Sequence, residues 1–251
     1  MITKNEISLD CVDVMFEITR FCNMTCPHCI RGDSQRLRIK KDYINATLEQ
    51  FENIGTIMFT GGEPALAVDL INYTREACQH YNIEVMNFWM ATNGTVATPK
   101  FFSAISNWVN YCSDNEISGL RVSLDEYHDK IDNQYKFEEF IEYNLPDDTG
   151  IEIYLELDGA PHREFLIGDG RAVDNYYTTR KVEHGIHLQD NGSIEGSLYI
   201  NAKGFVLTTC DISYETSDMK NSDFVICHCT DNIQEKLVEF FNKHPELIYA
   251  N

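Results

Sequence analysis

Between residues 14 and 157, five short apolar runs alternate along this chain with four helix-forming segments. Residues 14–19 and 56–60 read as strands, as do 83–91, 120–124 and 151–157. Between them apolar side chains recur at helical spacing. Ile44, Leu48, Phe51 and Ile54 predict a helix over about residues 41–53, and Leu66, Leu70, Tyr73 and Ala77 predict a second. Thr98 as cap with Pro99 at the first position opens a third, with Phe101, Ile105, Trp108 and Cys112 on its stripe. Residues 137–143 predict a fourth. Such β–α alternation argues for parallel strands joined by crossover helices, an α/β fold. In such sheets ligands gather at the carboxyl ends of the strands.

Beyond about residue 175 the pattern changes. Residues 198–200 and 205–207 flank a short loop and predict a β-hairpin. Ile233, Leu237, Val238, Phe240 and Phe241 predict an amphipathic last helix capped by Thr230 or Asp231. The expected organisation is an α/β core over residues 1–175 and a small α+β extension over 176–251.

Forty Asp and Glu against twenty Lys and Arg leave a net charge of −20. That balance argues against duplex nucleic acid and anionic membrane as partners. No apolar run nears the eighteen or so residues of a membrane span, and the first residues lack a signal-peptide layout, so a reducing cytoplasm is the expected home. Nine cysteines, an odd number, fit metal binding or core packing better than a disulfide scaffold.

Cys22-x3-Cys26-x2-Cys29 follows the first strand directly. Three thiolates on one loop can hold three irons of a cubane [4Fe-4S] cluster and leave the fourth iron open. Zinc, with His28 as a fourth ligand, is the competing reading. Cys11, Cys78 and Cys112 read as core residues.

The cysteine loop resembles the defining motif of the radical S-adenosylmethionine (SAM) enzymes, in which the position of His28 is usually aromatic. The likeness continues in order along the chain. Gly61-Gly62-Glu63-Pro64 resembles the family's GGEP turn, which receives the methionine amino group of SAM. Ala91-Thr92-Asn93-Gly94-Thr95 resembles its T-N-G segment. Val122-Ser123-Leu124-Asp125 resembles its S-L-D segment, whose serine lies near the SAM ribose or carboxylate. Gly168-Asp169-Gly170-Arg171-Ala172 matches a G-R-A turn near the end of the barrel. The arginine that many peptide-modifying members carry after a His-Asp pair is missing after His128-Asp129, leaving Lys130 as a point charge there.

The resemblance implies a partial (β/α)6 barrel that binds a [4Fe-4S] cluster and SAM and cleaves SAM reductively to methionine and a 5′-deoxyadenosyl radical. It also implies an electron donor of flavodoxin or ferredoxin type. Gly204-x5-Cys210 resembles the start of the SPASM or twitch extension of peptide maturases, which would add a second iron–sulfur cluster held by Cys210, Cys227 and Cys229. The alternative is that these cysteines pack in the core, or that one thiol is catalytic. Asp125, Tyr127, Glu156, Asp158 and Cys210 are the candidates for acid, base or hydrogen-donor roles. Three functions follow: modification of a peptide or protein side chain, chemistry on a small metabolite or nucleoside, or a non-catalytic zinc module. With about twenty residues ahead of Cys22, leader recognition for a peptide would fall to the barrel or to a separate recognition protein.

Overall fold

The computed structural model describes residues 2–114, 118–123, 134–144, 152–155, 167–176 and 180–249. Five strands alternate with four helices in the first half: β1 (Val12–Thr19), α1 (Lys41–Leu48), β2 (Asn53–Gly61), α2 (Val68–Tyr81), β3 (Glu84–Thr92), α3 (Pro99–Val109), β4 (Gly119–Val122), α4 (Gln134–Asn144) and β5 (Glu152–Leu155). After α5 (Gly170–Tyr176) come β6 (Ile186–Leu188), β7 (Ile194–Ile200), β8 (Phe205–Leu207), the single turn α6 (Tyr214–Ser217), β9 (Val225–His228) and α7 (Ile233–Lys243).

The strands form one sheet in the order β5-β4-β3-β2-β1-β7-β8-β9, with β6 beside β7. From β5 through β1 to β7 every pairing is parallel. The predicted hairpin is β7–β8, antiparallel with Tyr199 opposite Leu207. Its first strand is also the sixth parallel strand, laid against β1 with Met15 opposite Tyr199. This is an α/β sheet with antiparallel C-terminal strands, the architecture of a partial barrel with an extension.

The pleat sorts side chains to two faces. Val14, Phe16, Ile18, Ile57, Phe59, Phe88 and Met90 meet α1, α2, α3 and α7 in the main core. The opposite face carries a smaller cluster in which Met15, Met58, Tyr199, Leu207 and Ile212 meet Trp89 and Cys210. Met15, Met58 and Trp89 lie in register across β1, β2 and β3, so they floor the inner side of the sheet.

Three local expectations fail for tertiary reasons. The first helix stops at Leu48, and Ile54 belongs to β2, where it pairs with Val12 and Val85. The sheet ladder overrides the helical spacing. Leu66 sits in a 3-10 turn ahead of α2 and is 37% exposed, off the buried stripe. Helix α7 is capped by neither Thr230 nor Asp231: the Asn232 side chain accepts from the Glu235 N–H at 3.0 Å. By contrast Thr98 caps α3 as expected, accepting from the Phe101 N–H at 3.2 Å. Cys78 and Cys112 are buried, while Cys11 is exposed in a turn at φ 56°.

A buried ion network fastens the end of β1 to the C-terminal hairpin. Arg20 is fully buried and donates through Nε to Glu17 at 2.6 Å. Its other nitrogens grip both Asp218 oxygens at 2.8 and 2.9 Å. Glu17 also accepts the Ala202 N–H at 3.0 Å, and Lys203 reaches Asp218 at 2.6 Å. Burial pushes the Asp218 carboxyl up, but hydrogen bonds from Arg20 and Lys203 outweigh it and hold the group below the usual carboxylate range. A lowered folded pKa means that this stabilisation is complete above about pH 4 and drains away as the pH falls through the lowered value. Asp218→Asn should therefore be less stable than wild type at pH 7, and the gap between them should narrow by pH 3, as read by urea unfolding.

Candidate functional site

The carboxyl ends of β1 to β4 surround a cavity of about 350 Å³ lined by the cysteines of the first loop, the turn after β2, the end of β3 and Ser123. Thr60 and Ala91 follow Met58 and Trp89 by two residues, so they stand one pleat above the floor on the same inner face, and Ser123, two residues beyond the Arg121 that pairs with Ala91, stands one pleat higher.

The turn after β2 is built to approach the backbone of β1. Gly61 takes φ +149°, and a Cβ there would collide with the Thr19 carbonyl. Gly62 N–H donates to the same carbonyl at 2.7 Å, and Glu63 N–H to Phe21 O at 2.9 Å. Pro64 then opens the 3-10 turn on the cavity wall.

Glu63 is 1% exposed and knots two motifs together. One carboxylate oxygen accepts from Ala65 N–H at 2.9 Å and Thr92 Oγ1 at 2.7 Å, the other from Asn93 N–H at 2.7 Å. Ser123 N–H donates to Thr92 O at 2.9 Å, which adds the β4 end to the same knot. Asn93 in turn donates to Asn23 Oδ1 at 3.1 Å, and Asn23 to Thr95 Oγ1 at 2.8 Å, so the T-N-G segment steadies the cysteine loop. Asn23 and Thr95 lacked any sequence signal beyond their places inside motifs.

Cys22, Cys26 and Cys29 all border the cavity, together with His28. Cys22 Sγ accepts from Met24 N–H at 3.4 Å and stands 3.8 Å from Asn93 Nδ2. Burial pushes the Cys22 thiol up, with the Met24 N–H opposing. Among the described residues no three His, Cys, Asp or Glu side chains converge on a point for one metal ion. A cubane is held through separate irons, so its thiolates need not meet at one ion. Three thiols spread around one cavity, with a buried carboxylate and backbone turns opposite, fit a cluster with a small polar ligand beside it.

Arg171 stands behind the cysteine loop. Its Nε donates to the Cys26 carbonyl at 3.0 Å, its N–H to the Cys29 carbonyl at 3.0 Å, and its guanidinium pairs with Asp33 at 3.1 Å. Gly170, at φ +55°, lies so close that a Cβ would strike Ile30 O. The G-R-A turn thus braces the loop that carries the thiols. Outer-shell partners of metal ligands typically contribute about 10–100-fold in metal affinity. Arg171→Ala is accordingly expected to lose reconstituted iron to a chelator at least about tenfold faster than wild type, while near-native circular dichroism is kept.

Asp125, Tyr127, Lys130, Glu156 and Asp158 lie outside the described residues. The C-terminal cysteines are separated by the sheet. Cys227 and Cys229 are buried in the main core on the helix side, while Cys210 packs against the inner cluster. Burial pushes the Cys227 thiol up to about 12 and that of Cys229 to about 11. Cys210 therefore cannot share one cubane with Cys227 and Cys229, because the sheet stands between them. Asp211, its neighbour, does reach the cavity rim.

A model of the radical SAM superfamily matches residues 16–144, just over half of the chain. The AdoMet-dependent heme synthase of Nitratidesulfovibrio vulgaris is 29% identical over 104 residues, which cover 39% of this chain and 27% of that protein. The match thus spans about a quarter of that relative's length. Among solved structures, native anSMEcpe with bound AdoMet and the Cp18Cys peptide superposes with a TM-score of 0.56 at 12% identity, covering 94% of this chain and 82% of that one. BtrN in an open conformation superposes with a TM-score of 0.50 at 14% identity, covering 96% and 86%. Motif order, cavity and family match agree, and the chain belongs to the radical SAM superfamily.

Proposed function

We propose that the chain is a radical SAM enzyme that modifies a side chain of a peptide or protein. Family membership brings a [4Fe-4S] cluster and SAM, which when bound supply one-electron cleavage and hydrogen-atom abstraction from substrate. The residues of this chain supply placement. Cys22, Cys26 and Cys29 are the proposed iron ligands. The turn from Gly61 to Pro64, with Glu63 inside it, and Thr92, Asn93 and Ser123 form the wall that receives SAM. His28 lines the same cavity.

The observation that carries the peptide reading is the C-terminal hairpin. It adds β7 to the inner face beside β1 and brings Asp211 to the cavity rim, so the extension forms part of the substrate wall. A structure of similar fold holds AdoMet together with a peptide, which supports the same reading. The −20 charge favours a basic or neutral peptide. An external donor of flavodoxin or ferredoxin type would supply the electron, and a separate recognition protein could present the substrate. No helix among the described residues is long and apolar enough to cross a membrane, and the described cysteines are all free, which fits the reducing cytoplasm.

A second reading, chemistry on a small metabolite, has the heme synthase likeness on its side. Incubation with SAM, dithionite and a panel of short peptides separates the two. Deuterium transfer from a labelled peptide into 5′-deoxyadenosine supports the peptide reading. Transfer only from a labelled small metabolite overturns it.

A further inference from the structure

Two residues after the last cysteine of the loop, Arg31 reaches over the inner floor of the sheet. Its guanidinium carbon lies 5.1 Å from the centroid of the Tyr199 ring. One nitrogen donates to the Ile212 carbonyl at 3.0 Å. Among the described residues no carboxylate forms an ion pair with it. Glu17, whose charge acts on Arg31, has both oxygens engaged by Arg20. Arg31 is half-buried, and among the described residues its remaining guanidinium donors meet no carboxylate of their own.

Tyr199 is the second odd group there. It is fully buried, and its hydroxyl has no hydrogen-bond partner. A buried hydroxyl left without a partner forfeits its hydration with nothing in return, so such groups are rare where nothing else calls for them. Tyr199 occupies the floor row with Met15, one pleat below the level of the cavity wall, and Cys210 packs against the same cluster. Among the described residues, a cation without a paired carboxylate and a phenol without a hydrogen-bond partner stand side by side, on the inner face of the barrel and beside the cysteine loop.

We propose that Arg31 and Tyr199 form a subsite for a carboxylate group of the substrate. A guanidinium fork and a phenol O–H are matched donors for a planar carboxylate, and charge-assisted hydrogen bonds of this kind set orientation as well as affinity. A single negative charge balances the single cation. A phosphate dianion would leave excess negative charge beside Glu17 in a chain already at −20. Anchored there, a substrate is held below the cluster loop with its other groups directed to the cavity. The subsite deepens the reading of this barrel as a substrate site, but it does not require the substrate to be a peptide.

The test uses anaerobically reconstituted protein with SAM and follows the thermal midpoint against probe concentration. The probes are acetate, glutarate, a short peptide with a free C-terminal carboxylate, the same peptide amidated, and inorganic phosphate. A saturable rise is expected for at least one carboxylate, with the half-saturating concentration raised at least about tenfold in Arg31→Met and severalfold in Tyr199→Phe. Tyr199→Phe removes one unpartnered oxygen and so preserves the fold. A response to the peptide acid but not its amide assigns the carboxylate to a peptide. An equal response to glutarate assigns it to a free acid. The subsite is overturned if no carboxylate saturates, if phosphate outcompetes every carboxylate, or if all three proteins respond alike. Formation of 5′-deoxyadenosine by wild type, measured in the same preparation, reports on the enzyme reading alone. Cleavage without a carboxylate response sinks only the subsite, and a carboxylate response without cleavage upholds it while sinking the enzyme reading.

Discussion

Cys26→Ala is expected to abolish formation of 5′-deoxyadenosine from SAM and dithionite, and to leave the reconstituted protein with close to no cubane iron. Cys26 borders the cavity, and its carbonyl is held from behind by Arg171. Removing a thiolate that holds iron is a larger lesion than removing an outer partner, which itself typically costs about 10–100-fold in metal affinity. The loss should therefore be well over about 100-fold. Stability need not follow, because the cysteine loop contributes no side chain to the main core. Iron counting with the cleavage assay checks both halves. A Cys26→Ala protein that keeps about four irons and full cleavage would remove this loop from the chemistry.

Arg20→Met is expected to destabilise the fold by about 3–5 kcal/mol, the usual cost of removing one partner from a buried ion network. The reason is what stays behind. Glu17 is fully buried and would retain only the Ala202 N–H among its present partners, and Asp218 would keep Lys203 alone of its two cations. Urea unfolding reads the loss. Pairing the change with Glu17→Gln should recover part of it, since the uncompensated buried charge is then gone. A cost below about 1 kcal/mol would mean that the network behaves like an exposed pair.

Much of the site could be read in the sequence because its chemistry is written in contiguous motifs at strand ends. The cysteine loop, the turn at Gly61, the T-N-G segment and Ser123 surround one cavity. What sequence could not supply were partners distant along the chain. Glu63 looked like a charge offered to a ligand, yet its oxygens are taken up by Ala65, Thr92 and Asn93. Arg171 carried a motif signal and braces the loop from behind. Arg20 and Arg31 carried none, since a lone arginine after a strand or a cysteine has no periodicity to betray it. The C-terminal cysteines looked like one set because they are near in sequence. The pleat sends Cys227 to the helix side, while Cys210 packs on the inner side.

The pairing of β7 with β1 also bears on how the molecule is made. Glu17 and the Ala202 N–H that it accepts are 185 residues apart. On the ribosome, β1 can recruit β2 early but must wait for most of the chain before its other edge is filled. Contacts of such sequence separation slow folding, and an unfilled edge on a central strand is open to pairing with a neighbouring nascent chain. Growth temperature, translation speed and chaperone supply should therefore govern the yield of this protein more than the stability of the finished fold does.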